Sequence, residues 1–146
     1  MKRGNLLIID DEPLILKTLE KILSDYADKI YTAERGALGL EILKNNEIHC
    51  VICDINMPGM NGVEVVKSIR ASGNDIPFIF YTGHGNRDLM LEAVKYGVFD
   101  FLNKPDLDGI EEVVSRGIKT GFDKSYLKED DSYLSDYDKL LNEALE

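Results

Sequence analysis

Short apolar runs alternate along this chain with longer segments of helical periodicity. The runs at 6–9, 50–53 and 78–81 are apolar on both faces, which is typical of central strands in a parallel sheet that helices cover on both sides. A weaker run at 29–32 predicts an edge strand, and 100–103 predicts a fifth strand. The pattern therefore predicts five strands.

After each predicted strand, apolar residues recur at spacings of three and four, which is typical of amphipathic helices. The five predicted stripes are Leu14 or Ile15 with Leu19, Ile22 or Leu23 and Tyr26; Ala37, Leu40 and Leu43; Val63, Val66 and Ile69; Leu89, Ala93 and Tyr96; and Ile110, Val113, Val114 and Ile118. Gly97 is predicted to end the fourth helix as a left-handed cap, and Gly121 to end the fifth. The fivefold alternation predicts a parallel α/β sheet between helices.

The pattern changes after Gly121, which predicts a domain over 1–121 and an acidic tail over 122–146. The polar stretch 128–132 predicts a linker, and the spacing of Ser135 and Asp138 resembles a capping box at the start of a short sixth helix. From residue 123 onward, eight acidic and three basic residues give the tail a net charge of −5, half of the chain's −10.

Charge and cysteine content exclude several classes of function. A net charge of −10 over 146 residues argues against direct binding to nucleic acid or to an anionic membrane, because both need a basic surface. No apolar run is long enough for a secretion signal or a membrane span.

Cys50 and Cys53 have a C-x-x-C spacing, but residues three apart on one strand point to opposite faces. We therefore expect core packing and reduced thiols, which favour the cytoplasm.

Polar residues follow four of the predicted strands. Asp10 and Asp11 follow the first strand, Asp54 the third, Thr82 the fourth and Lys104 the fifth. Because the carboxyl ends of parallel strands share one edge, where open α/β sheets bind ligands, we expect these side chains to converge. Neighbouring carboxylates repel, a hard cation such as Mg²⁺ relieves that repulsion, and a carboxylate can attack phosphorus. Capping or turn formation would explain each residue singly, but the set favours an anion-stabilising metal site.

Four motifs give the segment 4–121 a resemblance to the response-regulator receiver family of two-component signalling. They are L-I-I-D-D-E at 7–12, D-x-x-M-P-x-x-x-G at 54–62, Y-T-G at 81–83 and G-V-F-D-F-L-N-K-P at 97–105. The resemblance implies a flavodoxin-like (βα)5 doubly wound parallel sheet with strand order 2-1-3-4-5. It also implies that the Lys104-Pro105 bond is cis.

The resemblance further implies a role for each site residue: Asp54 as phosphoacceptor and metal ligand, Asp11 as direct Mg²⁺ ligand, Asp10 as a ligand largely through water, Asn56 as a backbone-carbonyl ligand, Thr82 and Lys104 as partners of the phosphoryl group, and Phe101 as an aromatic switch. The donor would be a phosphohistidine on a sensor histidine kinase or a histidine phosphotransfer protein. The domain would help to catalyse its own modification and would not be a turnover enzyme.

The implied switch has an electrostatic reason. Three carboxylates, Lys104 and Mg²⁺ sum to zero charge, so phosphorylation of Asp54 would leave the site negative and draw in Thr82. The face around the fourth helix and fifth strand would then change and carry the signal to a downstream protein.

Other functions remain as alternatives. A flavodoxin would need a Ser/Thr/Gly-rich phosphate loop at 10–13, and a haloacid-dehalogenase-type phosphatase would need a D-x-D motif that Asp10 and Asp11 do not form. An inert scaffold domain is a further alternative, which the complete set of site residues opposes. We expect a single-domain regulator, with the receiver part of a longer protein as the alternative. His84 is interpreted as an exposed loop histidine.

Overall fold

The computed structural model describes residues 3–83 and 87–145, with side chains described through residue 126 and again at 143 and 144. His84 lies outside the described residues. The strands are β1 (Asn5–Ile9), β2 (Lys29–Ala33), β3 (Cys50–Cys53), β4 (Phe78–Thr82) and β5 (Asp100–Asn103). The helices are α1 (Pro13–Leu23), α2 (Gly36–Asn45), α3 (Gly62–Ala71), α4 (Arg87–Val94) and α5 (Ile110–Leu145), with a 3₁₀ turn at Ser24–Tyr26.

The five strands form one parallel sheet in the order β2-β1-β3-β4-β5. This confirms the predicted flavodoxin-like (βα)5 fold and the predicted edge position of β2. Ile9 pairs with Cys53, and Cys53 pairs in turn with Phe80. The register therefore places the carboxyl ends of β1 and β3 level with Phe80, and β4 continues for two more residues to Thr82 at the same edge of the sheet.

Two apolar clusters fill the two sides of the sheet. One joins alternate strand residues to α2, α3 and α4, and the other joins the remaining strand residues to α1 and α5. Cys53 belongs to the first cluster and Cys50 to the second, and both are buried free thiols. The two cysteines therefore pack on opposite faces of β3, as their spacing predicted.

The inner faces of the first two helices differ in part from the predicted stripes. In α1 the buried residues are Leu16, Leu19 and Leu23, whereas Leu14 is 74% exposed and Tyr26 lies beyond the helix on the surface. Apolar residues occupy two neighbouring sides of α1, so spacing alone could not select the buried one. In α2, Gly36 and Gly39 are buried in place of the exposed Ala37, because Cβ atoms there would collide with side chains of β1, α3 and the loop before α3.

The last helix contains the clearest departure from prediction. The helix end predicted at Gly121 is wrong, because α5 continues to Leu145 as one helix rather than a helix, a linker and a short sixth helix. A Cβ at Gly121 would collide with the carbonyl oxygen of His49, and a Cβ at Gly117 would lie 2.8 Å from the sulfur of Cys50. These glycines let α5 pack closely against the start of β3. The domain boundary at 121 stays a prediction.

Gly97 has a φ of 71°, which confirms the predicted left-handed cap beyond α4. Among the described residues, none of the helices combines the length and apolar character that crossing a membrane requires.

Candidate functional site

Asp10 and Asp54 lie side by side at the carboxyl edge because each continues the backbone ladder of its strand by one residue. The Asp10 N–H donates to the Ala33 carbonyl at 3.0 Å, and the Asp54 N–H donates to the Ile9 carbonyl at 2.9 Å. The two residues are only 2% and 5% exposed. Two carboxylates are thus held close together in a water-poor edge of the sheet.

Lys104 reaches both of these carboxylates from the end of β5. Its backbone N–H donates to the Thr82 carbonyl at 2.8 Å, which fixes the start of the side chain beside β4. The peptide bond from Lys104 to Pro105 is cis, as predicted. The Lys104 Nζ lies 2.8 Å from Asp10 Oδ2 and 3.0 Å from Asp54 Oδ2. It also lies 3.3 Å from Glu12 Oε1. One ammonium group therefore contacts three carboxylates.

Burial and pairing shift the protonation equilibria of these groups. Burial raises the pKa of the Asp10 carboxyl, and the hydrogen bond from Lys104 opposes that rise. Burial by itself would lower the pKa of Lys104, but its bonds to Asp10 and Asp54 outweigh burial and raise that pKa. Lys104 is therefore a cation at neutral pH. Burial, followed by the charges of Asp54 and Asp10, raises the pKa of the Cys53 thiol, which excludes this sulfur as a neutral-pH nucleophile.

Four acidic residues at this edge could hold a metal ion together. Asp10, Asp11, Glu12 and Asp54 each offer one carboxylate oxygen, and these atoms all lie within 4.8 Å of one another. Such a set of hard oxygen ligands suits Mg²⁺. Glu12 was not among the site residues predicted from the sequence. Its place directly after the acidic pair and before Pro13 was the available signal.

The segment between β3 and α3 explains the spacing of the 54–62 motif. The Gly62 N–H donates to the Ile55 carbonyl at 2.7 Å, and a Cβ at Gly62 would collide with the Asp54 carbonyl oxygen. Asn61 caps α3 by accepting the Glu64 N–H at 2.9 Å. The chain thus turns tightly beside Asp54, and exposed Asn56 lies within this turn. Its backbone-carbonyl role stays a prediction.

The remaining predicted residues lie on β4 and β5. Thr82 is the last residue of β4, is 1% exposed and pairs with Asn103 of β5. Phe101 is half-buried and stacks on Phe80, with 5.6 Å between ring centroids. The structure therefore places Thr82 at the same edge as the carboxylates. It places Phe101 one strand over, against the core, and its switch role stays a prediction.

Comparison with known proteins gives consistent matches. The sequence model of the response regulator receiver domain family matches residues 6–115. The transcriptional regulatory protein GlrR of Escherichia coli (strain K12) is 34% identical over 119 residues, which are 81% of this chain and 27% of GlrR. The transcriptional regulatory protein FixJ of Bradyrhizobium diazoefficiens is 32% identical over 103 residues, which are 70% of this chain and 50% of FixJ.

A solved structure agrees with these sequence matches. The crystal structure of a response regulator receiver domain protein from Clostridium thermocellum has 30% identity and a TM-score of 0.73, and the match covers 85% of this chain and 98% of that one. The chain spans about a quarter of GlrR and half of FixJ.

Proposed function

The chain belongs to the family of response regulator receiver domains, and from this premise we propose that it is a phosphorylation-dependent switch with Asp54 as the phosphoacceptor. The observation that carries the proposal is the position of the Lys104 ammonium, 3.0 Å from Asp54 and 2.8 Å from Asp10. A buried carboxylate beside a fixed cation and further acidic ligands is suited to attack on a phosphoryl group.

In the proposed reaction, a carboxylate oxygen of Asp54 forms a bond to phosphorus in line with the bond that breaks to the leaving group. Lys104 donates a hydrogen bond to a phosphoryl oxygen, and the hydroxyl of Thr82 donates another. Mg²⁺ held by Asp10, Asp11, Asp54 and the carbonyl of Asn56 would neutralise charge on the transferring group. The chain modifies itself, so we propose a switch and not a turnover enzyme.

The proposed output is a change at the face formed by α4 and β5. Thr82 would move toward the new phosphoryl group, and Phe101 would turn inward behind it. Exposed apolar side chains support a protein-binding role for this face, because Leu91 and Val94 of α4 are 61% and 59% exposed. The signal would pass to a downstream protein through this surface.

The proposed phosphodonor is a phosphohistidine on a sensor histidine kinase or a histidine phosphotransfer protein. The output partner is another protein or a further part of a longer chain. The second alternative is supported by the length of the curated relatives and by the continuity of α5 through residue 121. We propose a cytoplasmic location, which suits the free thiols Cys50 and Cys53.

The test is the intact mass of the protein after incubation with Mg²⁺ and acetyl phosphate. The wild type is expected to gain one phosphoryl mass, and the gain should vanish in Asp54→Asn and without Mg²⁺. Asp28→Asn is the matched control, because it removes a carboxylate from the opposite edge of the sheet and should leave the gain intact.

If the wild type gains no mass, binding of Mg²⁺ is measured next by titration. Binding that is lost in Asp54→Asn would support a receiver that accepts phosphate from its protein donor alone. Absence of both mass gain and Mg²⁺ binding would refute the switch and leave an inert scaffold domain.

A further inference from the structure

Glu12 contributes a contact to the site that its position at the start of α1 does not require. It precedes Pro13 as the N-cap residue of α1, yet its side chain makes no capping hydrogen bond. Its backbone N–H donates to Asp10 Oδ1 at 3.0 Å, and its carboxylate lies 3.3 Å from the Lys104 Nζ. The residue is thus held by its backbone to Asp10 while its charge is directed to Lys104.

Exposure separates Glu12 from the other carboxylates that contact Lys104. The Glu12 side chain is 59% exposed, whereas those of Asp10 and Asp54 are 3% and 6% exposed. Glu12 therefore lies at the solvent side of the site. One oxygen of Glu12 lies within 4.8 Å of an oxygen of Asp54, so a phosphodonor that approaches Asp54 from water would pass close to this charge.

The net charge of the site makes that position matter. Asp10, Asp11, Asp54, Lys104 and one divalent cation sum to zero, so Glu12 leaves the metal-loaded site with a charge of −1. Like charges at a solvent-accessible site repel by an amount that grows with the charge of the incoming group. A donor with two negative charges is disfavoured more strongly than a donor with one.

We propose that Glu12 is a specificity-determining residue for the phosphodonor, an inference that rests on the proposed phosphorylation of Asp54. Glu12 slows phosphoryl transfer from small dianionic donors in two ways. It adds negative charge at the solvent side of the site, and it pairs with the Lys104 ammonium. It thereby favours donors whose phosphoryl group is bonded to a positively charged nitrogen, the chemistry of phosphoramidates and protonated phosphohistidine.

Two small donors differ in charge but deliver the same group. From acetyl phosphate, a dianion at neutral pH, the P–O bond breaks, acetate leaves with the bonding electron pair, and Asp54 forms the new O–P bond. From phosphoramidate, a monoanion with a protonated nitrogen, the P–N bond breaks and ammonia leaves. Both reactions give the same aspartyl phosphate dianion, so a difference between them reports on the donor.

The experiment measures initial phosphorylation rates of the full chain with each donor, in Mg²⁺ and at low salt. Glu12→Gln is expected to raise the rate with acetyl phosphate about threefold and the rate with phosphoramidate by less than about twofold. Glu12→Asp keeps the charge and should keep the wild-type ratio of the two rates. At about 1 M salt, where the Debye length is about 3 Å, the effect of Glu12→Gln on that ratio should disappear.

Glu20→Gln is the matched control. Glu20 is exposed on α1, about 12 Å farther along the helix axis, and loses the same charge. The ratio of its rate with acetyl phosphate to its rate with phosphoramidate should equal that of the wild type. An unchanged ratio in Glu12→Gln, or an equal slowing with both donors, would overturn the inference while leaving the switch intact. Absence of phosphorylation in the wild type with either donor, together with absence of Mg²⁺ binding, would overturn both.

Discussion

Both edges of the sheet carry polar side chains with defined contacts, but the contacts differ in kind. At the amino edge, His49 is 4% exposed, its Nδ1 accepts the Asn5 N–H at 2.8 Å, and its Nε2 faces Glu47 at 3.1 Å. Its ring packs against Phe122 of α5 at 5.2 Å between centroids. At the same edge, Asp28 accepts two backbone N–H groups, from residues 3 and 4, at 2.8 Å and 2.9 Å.

At the carboxyl edge, the carboxylates face one another instead. Four of them lie within 4.8 Å, and Lys104 contacts three. At the amino edge, the polar groups make contacts that join β1, β2, β3 and α5. At the carboxyl edge, excess negative charge remains, and the repulsion among these carboxylates destabilises the fold until a cation binds. A ligand site is therefore recognised by charge that the protein leaves uncompensated, not by the presence of polar residues.

Lys104→Ala at the carboxyl edge should change the phosphorylation rate far more than a matched lysine substitution at the amino edge. Removing the fixed cation beside Asp54 is expected to slow phosphorylation from acetyl phosphate about a hundredfold, as for loss of one transition-state donor. The control is Lys29→Ala at the amino edge, where an exposed lysine begins β2. The initial rate by intact mass measures both. A slowing below about threefold in Lys104→Ala would contradict the proposed role.

Gly121→Ala should disturb the packing of α5 at the amino edge and leave the carboxylates at the carboxyl edge unaffected. The new Cβ would meet the backbone carbonyl of His49, so we expect a loss of about 2 kcal/mol in the free energy of unfolding, even though alanine favours helix. Gly117→Ala meets side-chain atoms of Cys50 and Ile79 that can shift, and should cost less than about 1 kcal/mol. Denaturant unfolding measures both values. Equal costs would show that the contact with the His49 carbonyl is unimportant.

Substitution of one aspartate at each edge should change stability in opposite directions. In metal-free protein, Asp54→Asn relieves repulsion among the clustered carboxylates and should raise the free energy of unfolding by about 1 kcal/mol. Asp28→Asn replaces the charged acceptor of two backbone N–H groups with a neutral amide and should lower the free energy of unfolding. Saturating Mg²⁺ should stabilise the wild type more than it stabilises Asp54→Asn. The gain in free energy of unfolding from Asp54→Asn should therefore shrink or reverse. A loss of stability in metal-free Asp54→Asn would show that repulsion among these carboxylates does not destabilise the fold.

The smallest expected effect is the pH dependence at Asp28. Hydrogen bonds from the N–H groups of Gly4 and Arg3 lower the pKa of its carboxyl below the ordinary 3.8. The contribution of this carboxylate to stability is therefore present above that ordinary pKa and is lost as pH falls through the lower folded-state value. The stability difference between wild type and Asp28→Asn should shrink between pH 5 and pH 2, about the range of carboxyl titration. A constant difference would show that the ionised form is not what matters.

Sequence periodicity predicted the sheet well because each central strand is apolar on both faces and ends at a charged or polar residue. The same rule predicted that Asp10, Asp54 and Thr82 lie at one edge of the sheet. The rule failed in α1, where two adjacent sides of the helix are apolar. The buried side contains Leu16 and not Leu14. Spacing gives the period of a helix but not which of two adjacent apolar sides meets the sheet.

Two further features could not be obtained from local pattern. Gly121 looks like a helix terminator in sequence, but it serves a close approach between α5 and His49, which lie 72 residues apart in the chain. Glu12 looks like a surface charge before a helix, but its contact is with Lys104 at the far end of the domain sequence. Both depend on tertiary contacts that only the folded chain brings together.

The proposed switch requires that phosphorus becomes bonded to Asp54. An aspartyl phosphate is reduced by borohydride to homoserine, and peptide mass spectrometry locates the residue that has changed. We expect homoserine at position 54 after treatment with Mg²⁺ and acetyl phosphate, and unmodified aspartate at positions 10, 11 and 28. Homoserine at another position, or a phosphoryl group that resists borohydride, would contradict it.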